Sequence, residues 1–116
     1  MGEKMYDLEK RTYVFAKDCR ILVGNLPKTI SNVEDGKQLV RSSGSVAANY
    51  IEANEKLGSK DFIFRLKIAR KEAKESILWL TLLADLNTAF NVEIQELVEE
   101  AEQLKRILSS IINKVK

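Results

Sequence analysis

Histidine is absent from this 116-residue chain, and cysteine, proline and tryptophan occur once each. Without histidine, neither a Ser-His-Asp nor a Cys-His catalytic arrangement can be built, and zinc sites of the Cys/His type are excluded. The lone Cys19 rules out a disulfide framework within one chain and suits a reducing compartment, so a cytoplasmic location is expected. One proline and five glycines are too few for sheets joined by tight turns, and they point to helices. An excess of one charge sign is also missing. With 19 basic and 17 acidic side chains the formal charge is +2, so any affinity for nucleic acid must come from a local patch. No apolar run approaches the roughly 20 residues of a membrane span. The longest, residues 77–84, is interrupted by Thr81, and residues 1–10 are charged with no signal-peptide core. No membrane contact is expected.

What the chain does have is helical periodicity, and its length suits one domain over residues 1–116. A first helix is predicted over residues 7–25, with Leu8, Thr12, Phe15, Ala16, Cys19, Leu22, Val23 and Leu26 on one face. Leu26-Pro27 ends it, because the residue before proline is pushed out of the helical region. Ser31 or Asn32 is expected to cap the second helix, which runs to about Asn54. This helix crowds small residues (Ser42, Ser43, Gly44, Ser45, Ala47, Ala48) among Leu39, Val46, Tyr50 and Ile51. Gly44 costs a helix roughly 1 kcal/mol against alanine, so close approach to a neighbouring helix backbone is the expected return.

Ser59 is expected to cap a long third helix, residues 60–86, with Asp61 in its first turn. One apolar stripe there is Phe62, Leu66, Ala69, Ala73, Ile77, Leu80 and Ala84. A second, nearly opposite, is Phe64, Ile68, Leu78, Trp79, Leu82 and Leu86. A bundle core uses only one, and a helix apolar on two sides is buried on two sides, so the second stripe predicts a subunit contact with Trp79 as its anchor. A turn at Asn87-Thr88 leads to the last helix, residues 92–115, with a seam of Ile94, Leu97, Val98, Ala101, Leu104, Leu108, Ile111 and Val115. Its glutamates come early and Lys105, Arg106, Lys114 and Lys116 late, which complements the helix dipole. The expected fold is all-α, an antiparallel up-and-down four-helix bundle.

The residues Leu26-Pro27, Gln38-Leu39-x-Arg41-Ser42-x-x-Ser45-x-Ala47-x-Asn49, Lys60-x-Phe62, Ile68-Ala69-Arg70, Glu75 and Trp79-Leu80 resemble the "four helix bundle protein" family, also called 23S ribosomal RNA intervening-sequence proteins. The likeness spans residues 15–86. Where family members tend to follow the Asn with Ile-Ala-Glu-Gly, this chain has Tyr50-Ile51-Glu52-Ala53. The resemblance implies a homo-oligomer in the form of a pentameric ring, with no enzyme activity. It also brings in the related accessory proteins of diversity-generating retroelements, similar bundles that bind a reverse transcriptase and nucleic acid.

The candidate residues fall into three groups. Lys67, Arg70, Lys71 and Lys74, with Lys60 near the helix start, form a basic stripe suited to phosphates of RNA or DNA, although a solvated helix face is the commoner outcome of such a pattern. Arg41 lies within the small-residue helix and predicts a structural ion pair with Glu75 or Asp85, Glu52 being a weaker partner. Ser42, Ser45 and Asn49 complete the small-residue seam, where Ser45 has no base to make it a nucleophile and Asn49 can cross-link helices or cap a local break. Glu96, Glu99 and Glu100 do not predict a metal, since di-metal bundles pair Glu with His. Cys19 is expected to be a small buried hydrophobe. No catalytic residue, cofactor, metal or small-molecule ligand is expected. The leading expectation is a non-enzymatic scaffold or adaptor whose partners are its own copies and RNA, DNA or a nucleic-acid enzyme. The alternative is a protein-protein interaction module that uses the last helix and makes no nucleic-acid contact.

Overall fold

The computed structural model describes residues 2–55 and 57–115, with side chains described from Leu8 onward. Lys116, counted above among the late cations, lies outside the described residues. Four long helices form: α1 (Gly2–Asn25), α2 (Ile30–Ala53), α3 (Ser59–Leu86) and α4 (Asn91–Val115). A single 3-10 turn, Thr88–Phe90, joins α3 to α4. There is no strand among the described residues. The bundle measures 44 × 21 × 19 Å, and its long axis matches the roughly 42 Å expected of a 28-residue helix such as α3.

The ends of the helices follow local chemistry, in two places differently from the sequence expectation. Thr29 caps α2: its Oγ1 accepts from the backbone N–H of Asn32 at 3.1 Å, so the helix starts before Ser31. The Asn32 side chain is then free for another task. Its Nδ2 donates to the Pro27 carbonyl at 3.0 Å and to Asn87 Oδ1 at 2.8 Å, while Asn87 Nδ2 donates back to Asn32 Oδ1 at 2.8 Å. This amide pair ties the start of α2 to the end of α3. Before α3, Gly58 rather than Ser59 stands at the cap position, with φ +119° and no side-chain bond. A left-handed φ of that kind suits only glycine, which is why the break falls there.

All four helices contribute to the core. Leu8, Thr12, Phe15, Ala16, Cys19, Leu22 and Leu26 are buried on α1, as the periodicity predicts, and Val23 is half-buried. On α3 the first stripe is buried at Leu66, Ala69, Ala73, Leu80 and Ala84, with Phe62 and Ile77 packed at its edge. On α4 the seam turns slightly: Ile112 is buried, Ile111 half-buried and Val115 exposed, because a 3.6-residue helix drifts away from a strict heptad. On α2 the buried residues are Asn32, Gly36, Leu39, Ser42, Ser43, Val46, Tyr50 and Ala53, whereas Ile51 is exposed. Burial pushes the Cys19 thiol up to about 12, against a weaker lowering by its hydrogen bond with Ser43. It is therefore a neutral, inert thiol at physiological pH, and stability falls as pH rises from about 9 towards 12, where the thiol ionises in the unfolded chain but not in the folded one.

Gly36 and Gly44 are approached equally closely, but only Gly36 by a group that cannot easily yield. A Cβ at Gly36 would meet Cγ1 of Val23 on α1 at 2.9 Å, whereas one at Gly44 would meet the guanidinium end of Arg20 at 2.9 Å. Val23 is β-branched and held by its neighbours; the Arg20 tip is the far end of a flexible chain. Gly36→Ala is therefore expected to lower stability by about 1 kcal/mol despite its better helix propensity. Gly44→Ala is expected to leave stability unchanged or raise it. Urea midpoints of the two variants check the contrast.

Candidate interaction face

The outer side of α3 follows from its inner side. With Leu66, Ala69, Ala73, Leu80 and Leu83 turned to the core, the opposite face must present Lys60, Phe64, Lys67, Lys71, Glu75, Leu78, Leu82 and Leu86. The predicted apolar stripe and the predicted basic stripe thus occupy one face, divided along its length. The first half carries the lysines and Phe64, whose ring lies 6.0 Å from the Arg65 guanidinium carbon. The second half carries three leucines, Leu78 51 %, Leu82 37 % and Leu86 64 % exposed, with the exposed carboxylate of Asp85 among them. Leaving three leucines in water is unfavourable by about 25 cal/mol per Å² of apolar surface, which makes the patch a contact candidate.

Not every residue of the two stripes belongs to this face. Ile68 is half-buried, and Trp79 is half-buried against the core with its Nε1 enclosed and unbonded. Trp79 is thus turned away from the centre of the patch. Arg70 turns towards α4, where its Nη1 donates to Ser109 Oγ at 3.2 Å. Lys60, Lys67, Lys71 and Lys74 are exposed, and among the described residues only Lys71 has an ion-pair partner, Glu75 at 3.9 Å.

Beside this face, α2 meets α3 through its small residues. Arg41 Nη2 donates to Glu75 Oε1 at 3.1 Å, and its Nη1 lies 3.4 Å from Glu72 Oε1. Glu72 was not foreseen as a partner, and Asp85 and Glu52 play no part in this pair. The arginine side chain is 52 % exposed and the Glu72 side chain only 8 %, so a half-solvated cation covers a buried carboxylate. Directly beneath, Ser42 Oγ and Ser76 Oγ are 2.8 Å apart in a fully buried site. Each hydroxyl also has a carbonyl of its own helix in reach, Glu72 O at 2.9 Å from Ser76 Oγ and Leu39 O at 3.4 Å from Ser42 Oγ, so one serine donates across the contact and the other donates within its helix. Ser45 and Asn49 join no helices: Asn49 Nδ2 donates to the carbonyl and the hydroxyl oxygen of Ser45, both at 2.9 Å, within α2.

On the opposite side, α1 and α4 leave a groove of about 350 Å³. Phe15, Leu22 and Leu97 form its floor, and Asp18, Glu93, Glu96 and Glu100 stand along it with no cation among the lining residues. Glu100 is bonded bidentately to Arg11, at 2.7 and 3.0 Å. Asp18, Glu93 and Glu96 have no cationic partner among the described residues. Sequence periodicity placed these glutamates outside the seam; it could not show that α1 leaves them a trough.

No group of side chains among the described residues is arranged to hold a metal, and no single helix there is long and apolar enough to cross a membrane. These surfaces belong to an all-α protein of four packed helices. A family model described as 23S rRNA-intervening sequence protein matches residues 4–110, and the chain belongs to that family. The crystal structure of a protein of unknown function from the S23 ribosomal protein family of Bacteroides thetaiotaomicron is similar to it, at 28 % identity and a TM-score of 0.83, with 95 % of this chain and 98 % of that chain covered. No match was found among curated proteins.

Proposed function

We propose that this protein is a non-enzymatic, self-assembling scaffold or adaptor of the cytoplasm, an antiparallel up-and-down bundle that closes with its copies into a homopentameric ring. The observation that carries the reading is the outer face of α3, where Leu78, Leu82 and Leu86 stand in solvent beside lysines that have few partners. The leucines are the self-association element. The basic half, above all Lys60 and Lys67, is the contact for phosphates of RNA or DNA. Repetition of a weak stripe around a ring makes such a contact multivalent.

Light scattering after size exclusion, at low and moderate salt and with a mixed RNA pool, tests both halves. An assembly of about five subunits is expected to persist at moderate salt, since its contacts are apolar at the centre. RNA retention is expected at about 50 mM salt and to be largely lost by about 200 mM, because neutralised phosphates release counterions. A monomer at both salts overturns the reading. An assembly indifferent to RNA at low salt overturns the nucleic-acid half and favours a protein partner.

A further inference from the structure

We infer that the outer face of α3 docks into the α1/α4 groove of a second copy, so that the contact is head-to-tail rather than between like faces. The inference rests on the self-assembly proposed above and names the two surfaces that meet. Each surface has what the other lacks. The groove has an apolar floor and the carboxylates of Asp18, Glu93 and Glu96 without cationic partners, and no lysine or arginine lines it. The face has exposed Leu78 and Leu82 flanked by Lys67, Lys71 and Lys74, of which only Lys71 has an ion-pair partner among the described residues; its own carboxylates are Glu75, held by Arg41, and Asp85 beyond Leu82.

The dimensions also agree. Lys71 to Leu82 spans about 16 Å of helix, as does α1 from Val14 to Asn25 along the groove. Pairing two grooves would oppose their glutamates, which like charge disfavours, and a two-fold pairing of two α3 faces through their leucines would leave the groove carboxylates unneutralised. Two different faces on one chain generate either a closed ring or an open filament, according to the rotation between neighbours. Lys60 lies about 16 Å further along α3 than Lys71, beyond a groove of that length, and remains open to other partners.

Charge reversal tests the docking with the full chain. One variant carries Lys71→Glu and Lys74→Glu, a second carries Glu93→Lys and Glu96→Lys, and a third carries all four. Every altered side chain is exposed, and circular dichroism on melting verifies that each variant folds. Both two-site variants are expected to self-associate about a hundredfold more weakly, through like charges brought together at the contact. The four-site variant is expected to recover most of the loss, because attraction returns with its signs exchanged. If wild-type protein assembles but neither two-site variant dissociates, the docking is overturned while self-assembly stands. If both dissociate and the four-site variant does not recover, the docking is likewise overturned. A monomeric wild type overturns the proposed function as well.

Discussion

Ser42→Leu is expected to prevent stable folding, the largest effect of any single substitution on the α2/α3 contact. The Ser42 hydroxyl is fully buried, 2.8 Å from Ser76 Oγ, with the helix backbones close enough that two hydroxymethyl groups fill the gap. A leucine there must find room in a site with no exposed surface and a side chain of α3 already at hydrogen-bond distance, so the helices must part to admit it. Overpacking commonly costs 1–3 kcal/mol, and this site, fully buried, taking on two further heavy atoms and losing a hydrogen bond, stands at about 3 kcal/mol or beyond. That is a large share of the stability of a small domain. Ser42→Ala is the informative contrast. Ser76 keeps its bond to the Glu72 carbonyl, so the loss is about 1 kcal/mol or less. Urea unfolding followed by circular dichroism checks both; a Ser42→Leu protein with a near-wild-type midpoint contradicts the close packing described for this seam.

Removing Arg41 should expose a different weakness. Arg41→Ala withdraws the cation that lies 3.4 Å from Glu72 and 3.1 Å from Glu75. Glu75 is partly solvated and loses little. Glu72 is buried, so its carboxylate is left in a poorly polar site with no counter-charge. Breaking a fully buried pair typically costs 3–5 kcal/mol; with the arginine half exposed and water able to replace it, about 2 kcal/mol is expected. The cause can be separated from lost packing by adding Glu72→Gln. A neutral amide removes the stranded charge, so the double variant should be more stable than Arg41→Ala alone. If glutamine gives no recovery in thermal or urea unfolding, the buried charge is not what Arg41 compensates.

Much of the fold was legible in the sequence because apolar spacing is a strong signal in long helices. The α1 face from Leu8 to Leu26 is buried almost as written, and Leu26-Pro27 ends α1 by ordinary sterics. The caps were less legible. Thr29, Ser31 and Asn32 are all good capping residues by type, and the choice fell to Thr29 because Asn32 is drawn to Asn87, 55 positions away. Glu72 as a partner of Arg41 was missed for a related reason. A buried glutamate on an apolar helix looks like one more solvated charge until the opposite helix supplies its cation. The two stripes of α3 were read separately, and only the core-facing residues fixed the helix rotation that lays them on one face. The groove between α1 and α4 has no sequence signature, since it arises from how far apart two non-adjacent helices settle.

The amide pair of Asn32 and Asn87 sets a condition on the α2/α3 contact that its packing alone cannot. Ser42 on one side, with Ala69, Ala73 and Ser76 on the other, makes a contact of small side chains in which a slip of one helical turn would set a hydroxymethyl against a methyl with little change in volume. Hydrophobic burial distinguishes poorly between such alternatives. The two carboxamides do distinguish them, because a shift of about 5.4 Å breaks both of their mutual bonds and strands the Oδ1 of buried Asn32 without its donor. The clasp therefore acts as an index mark, selecting one register from several of similar packing energy and so holding Arg41 opposite Glu72 and Glu75.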